Sequence, residues 1–103
     1  MSEVSGTVEI RNRHGLHARP AAEFVKLASR FQAQVMVRKD ELEVNGKSIM
    51  GVLMLAAEPG AVLTIRARGR DAQAALDALV AFVEGDTGGD ELEDLAAGGD
   101  GEP

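Results

Sequence analysis

Within His14-Gly15-Leu16-His17-Ala18-Arg19-Pro20-Ala21 the chain sets two imidazoles, a glycine and a guanidinium where its hydrophobic pattern turns helical. A proline is tolerated in a helix only in the first turn, where the N–H it lacks would have had no intrahelical partner. Pro20 therefore puts the helix start at or just after His17. Such a start offers backbone N–H groups and the positive end of the helix dipole, which together hold anions. Here the amides of Ala18 and Arg19 would supply the donors, and the Arg19 guanidinium a fork for phosphate oxygens. Gly15 lets the chain turn sharply before the helix, and Arg11 and Arg13 add positive potential. An unperturbed imidazole, with a pKa of about 6.5, keeps a free lone pair near neutral pH. His17 is thus a candidate nucleophile toward a phosphoryl group. The bland alternative is a histidine that only hydrogen-bonds locally at a helix start. A His14–His17 metal pair has no third ligand in the sequence and is set aside, and no cofactor is implied.

A second segment, Asn45-Gly46-Lys47-Ser48 followed by Ile49-Met50-Gly51-Val52-Leu53-Met54-Leu55, resembles the end of a phosphate-binding P-loop only superficially. That motif needs a glycine five residues before Gly46, and Glu41 stands there. Ser48 reads as the N-cap of a short helix. The run after it is more apolar than one buried helical face requires, which fits either tight packing or an exposed patch for partners.

The elements that must carry these residues follow from periodicity. Val4 to Ile10, Gln34 to Arg38, Leu42 to Val44 and Val62 to Arg68 alternate as half-buried strands. Ala21, Phe24, Val25, Ala28 and Phe31 fall at helical spacing. So do Ala72, Ala75, Leu76, Leu79 and Val83, behind a plausible N-cap at Asp71. Strand, helix, strand, strand, helix, strand, helix predicts an α+β fold. It is a two-layer sandwich of one sheet with the three helices on one face and the other face in water.

The 103 residues, 45% of them hydrophobic, suffice for one modest core. With no cysteine, disulfides and thiolate metal sites are excluded, and a reducing cytoplasm is the expected location. No apolar run is long enough to cross a bilayer, and the N-terminus lacks the character of a secretory signal. The net charge of −6 is unevenly placed. Residues 85–103 hold seven acidic side chains, no basic ones and six glycines, so residues 1–84 carry a net charge of +1. The expected organisation is a domain over 1–84 and a disordered acidic tail over 85–103.

His14 through Ala22, the run Asn45 to Leu55 and Pro59-Gly60 together resemble the HPr phosphocarrier family of the bacterial phosphoenolpyruvate-dependent phosphotransferase system. The similarity runs from about Gly6 to Glu84. It implies an open-faced βαββαβα sandwich with an antiparallel sheet in the order 1-4-2-3. It implies that His17 accepts a phosphoryl group on Nδ1 from enzyme I and passes it to an enzyme II A component, with Arg19 as the active-site arginine. Ser48 matches the serine modified in many members by HPr kinase/phosphorylase. The first two helices form the family's docking surface, which makes Leu16, Lys47, Ile49, Met50 and Leu53 the expected partner contacts. The resemblance thus points to a monomeric carrier, not a free-standing enzyme, with a general role in sugar transport, without nucleic-acid partners or membrane insertion. A nitrogen-type regulatory carrier and a partner-binding regulator are the alternatives. His14 stands where many members have a small polar residue, and the acidic tail is additional to the family domain.

Overall fold

The computed structural model describes residues 2–99 apart from Asn12 and His14, with side chains as far as Gly85. The elements run β1 (Glu3–Glu9), α1 (Ala18–Ala28), β2 (Gln34–Lys39), β3 (Leu42–Asn45), α2 (Ile49–Met54), β4 (Val62–Arg68) and α3 (Ala72–Gly99). The strands form one antiparallel sheet in the order β1-β4-β2-β3. Both the βαββαβα order and the sheet order are those implied by the resemblance.

Alternation sets the two faces. Val8, Val35, Val37, Leu63, Ile65 and Ala67 point inward and are almost wholly buried, while Glu9, Arg38, Arg66 and Arg68 face out. On the open face Arg66 lies between Glu3 and Glu43, at 3.7 and 3.2 Å. All three carboxylate or guanidinium side chains are substantially exposed, so these pairs add little stability. The inner face carries the helices. Phe24 of α1 is fully buried and meets Phe82 of α3 edge-on, with ring centroids 6.1 Å apart. Burying a phenylalanine is worth about 2–3 kcal/mol, so this contact is a main tie between the two helices. Ala72, Ala75, Leu76, Leu79 and Val83 form the buried stripe of α3, as their spacing predicts.

Two features of α3 bear on the sequence reading. Its backbone is helical as far as Gly99, past the point where the composition predicts an unstructured tail. A helix satisfies its own backbone hydrogen bonds without tertiary contacts, so lack of apolar residues does not by itself stop one. Asp71 stands at the N-cap position as expected, its carbonyl accepting the Ala75 N–H at 2.9 Å, but its carboxylate reaches across the fold. It accepts the Gln32 and Ala33 amides at 2.9 and 2.8 Å, pinning the chain between α1 and β2. Accepting the Gln32 amide, and then that of Ala33, holds the carboxyl below the usual aspartate value of 3.8 despite an opposing desolvation cost.

Candidate functional site

The site is built where the loop after β1 meets the segment after α2. Gly15 has φ +71°, and a Cβ on it would lie 2.4 Å from the Ala57 carbonyl oxygen and 3.0 Å from the Glu58 Cα. Only glycine permits both that backbone conformation and that approach. The next residue completes the junction, the Leu16 N–H donating to the Ala57 carbonyl at 2.9 Å. Leu16 is 2% exposed. This corrects its assignment as a partner contact: its side chain fills the core and anchors the loop, leaving almost no surface to offer beyond the pocket wall.

His17 follows as the N-cap of α1, with extended backbone at φ −92° and ψ −161°. Its carbonyl accepts the Ala21 N–H at 2.8 Å, and its exposed side chain makes no capping hydrogen bond. An N-cap side chain normally accepts from the second or third helical amide. Pro20 occupies the third position and has none. It is buried in the first turn, as its chemistry requires, and fixes the direction in which the helix leaves. The N–H groups of Ala18 and Arg19 lie in the first turn of α1, the end of a helix at which anions are held. The helix start therefore brings His17, those two amides and the exposed Arg19 to one surface. Arg11 and Arg13 are also exposed. His14, singled out beside His17 in the sequence, lies outside the described residues.

An open pocket of about 240 Å³ adjoins His17, lined also by Leu16, Leu53, Ala56, Ala57 and Glu58. Its far wall is firmly held. The Lys39 ammonium donates to the carbonyls of Leu55 and Ala56 at 3.1 and 3.4 Å, and the Ala61 N–H to that of Glu58 at 2.9 Å. Ala56, with φ +49°, is a non-glycine residue in the left-handed region and turns the chain out of α2 toward the site.

α2 supplies the neighbouring surface. Ser48 caps it, its hydroxyl accepting the Gly51 N–H at 3.1 Å. Ile49 and Met50 are exposed, Met50 at 66%, and Leu53 is half-buried. Met54, which the sequence reading did not single out, is 64% exposed and extends the apolar patch. Lys47 was expected to face partners, yet it is half-buried and its ammonium donates to the Phe31 carbonyl at 2.7 Å. It ties the start of α2 to the chain leaving α1. Among the described residues no group of three or more histidine, cysteine or acidic side chains is placed to hold a metal ion.

Residues 4–85 match the family model described as the PTS HPr component phosphorylation site. An HPr-like protein Crh from Halalkalibacterium halodurans is 46% identical over 81 residues, spanning 79% of this chain and 96% of that one. The crystal structure of a phosphocarrier protein HPr from Bacillus anthracis superposes with a TM-score of 0.78 at 46% identity, covering 81% of this chain and 99% of that one. Crh of Bacillus subtilis, described as a dimer with a swapping domain, superposes at 0.65 with 49% identity, over 75% of this chain and 88% of that one.

Proposed function

The chain belongs to the HPr family of phosphotransferase-system phosphocarriers, and on that premise we propose that His17 is its phospho-acceptor. The observation carrying this reading is an exposed imidazole at the N-cap of α1, with the first-turn amides and Arg19 beside it. In the step proposed, a ring nitrogen, Nδ1 by family resemblance, attacks the phosphorus carried by enzyme I. The donor's bond to phosphorus breaks as the new N–P bond forms. The amides of Ala18 and Arg19 and the Arg19 guanidinium meet the charge on the peripheral oxygens. Transfer to an enzyme II A component repeats the exchange with His17 as leaving group. Its location would be the cytoplasm; among the described residues no helix is long and apolar enough to cross a membrane.

Docking falls to Ile49, Met50, Leu53 and Met54, an apolar patch next to the His17 pocket. Phosphorylation of Ser48 by an HPr kinase/phosphorylase would add about two negative charges at that patch and weaken association with an acidic partner surface. Incubation with phosphoenolpyruvate and enzyme I should give an acid-labile phosphoprotein, and His17→Ala should abolish it. Label persisting in that variant would refute the assignment. A second reading is a regulator that binds partners through the α2 patch without carrying phosphate; the catabolite-repression name of one Crh structure favours a regulatory role, and the presence of His17 argues against it. Partner binding by a wild-type protein that takes no label would favour it. A monomer is proposed, with sedimentation as the check against a swapped dimer.

A further inference from the structure

The geometry points to Glu58 as a built-in charge that shortens the stay of the phosphoryl group on His17. The inference rests on the phosphocarrier reading and adds a residue to it. Glu58 lines the same open pocket as His17 and is exposed. The two come from distant parts of the chain but are joined at the backbone. Gly15 approaches the Glu58 Cα so closely that a Cβ would lie 3.0 Å from it, and the Leu16 amide is bonded to the Ala57 carbonyl. The Glu58 carbonyl is itself fixed by the Ala61 amide at 2.9 Å. The backbone that carries the Glu58 side chain is thus anchored beside the pocket, and is not part of a loose loop.

A phosphoryl group on imidazole carries close to two negative charges near neutral pH. The other charged groups described around this site are cationic: Arg11 and Arg13 in the loop, Arg19 on α1, and Lys39 of β2 behind the Ala56 carbonyl. Those groups favour retention. Glu58 opposes them, raising the energy of the phosphorylated state relative to the empty one. That repulsion pushes the N–P bond toward cleavage, with the phosphoryl group passing to an acceptor or to water and its electron pair returning to the ring nitrogen.

The test measures the lifetime of the isolated phosphoprotein after enzyme I is removed, so that altered docking does not enter. At low salt, Glu58→Gln should hold its label about two- to fivefold longer than wild type, the size of an exposed charge interaction in water. Glu58→Lys should lengthen it further, and Glu58→Asp should retain most of the wild-type behaviour. The difference between wild type and Glu58→Gln should shrink at about 0.5 M salt, where screening reaches only a few ångströms. A merely structural role would leave a difference insensitive to salt and not rescued by Glu58→Asp. Equal lifetimes for wild type and Glu58→Gln at low salt, or a gap unchanged by salt, would overturn the inference while leaving His17 as acceptor. A wild-type protein that takes no label would instead bring down the phosphocarrier reading, and this inference with it.

Discussion

Replacing Gly15 by alanine should damage the protein through two separable physical effects. The first is conformational: at φ +71° an L-residue pays about 1–2 kcal/mol for the left-handed region. The second is steric, since the new Cβ would sit 2.4 Å from the Ala57 carbonyl oxygen. That neighbour is backbone, so it cannot rotate away. One segment must shift, and the bond from the Leu16 amide to that same oxygen is lost or stretched, at about 0.5–1.5 kcal/mol. Together these predict a loss of about 1.5–3.5 kcal/mol. For a domain of this size that is a fall in Tm of roughly 10–25 °C. Gly60 supplies the internal control. It also has positive φ, +93°, but a Cβ there meets nothing within 4 Å. Gly60→Ala should therefore show the conformational cost alone, about 1–2 kcal/mol. Urea unfolding of both variants, with transfer rates to His17 measured on the folded protein, separates the two contributions. If Gly15→Ala costs no more than Gly60→Ala, the close approach of the two loops does not constrain the site and the reasoning fails.

Two further predictions concern the frame around the site. Asp71 has a folded-state pKa below its ordinary value of 3.8, so its contribution to stability is fully present above that value and declines as the pH falls below it toward the folded-state value. Asp71→Asn should lower stability at pH 6 and flatten its loss between about pH 5 and pH 3, and unchanged acid unfolding would count against the clamp on Gln32 and Ala33. The folded domain is proposed to end near Glu84, because Val83 is the last buried residue of α3 among those whose side chains are described and the glycines beyond it disfavour helix by up to about 1 kcal/mol each. Truncation after Glu84 should leave Tm within about 2 °C, with fast amide exchange over 86–99 in the full chain; strong protection there would show that the tail is part of the fold.

Much of the architecture was legible because the strands alternate cleanly and the first and last helices are long enough for their period to show. The onset of α1 was fixed by Pro20, and that of α2 by the Ser48 cap, each a local chemical signal. Where the sequence misled, the deciding interaction was tertiary. Leu16 precedes the helix, where no periodicity tells inside from outside, and it went inside. α2 has six residues, too few turns for its pattern to separate Met54 from Val52. Lys47 and Asp71 are polar residues beside helix starts, and each reaches instead for backbone of a different segment. Glu58 is 41 positions from His17 in the chain, and nothing local connects them; Gly15, required by the approach of that segment, was the one trace of it.

Pro20 has a consequence for how a bound group would change hands. A phosphoryl group presents three peripheral oxygens, but the first turn of α1 has only two backbone donors before the proline. An anion site of three amides would enclose the group and keep it. On the phosphocarrier reading one oxygen is left to a side-chain donor or to a group brought by the incoming partner, and the cradle is one amide short of a trap.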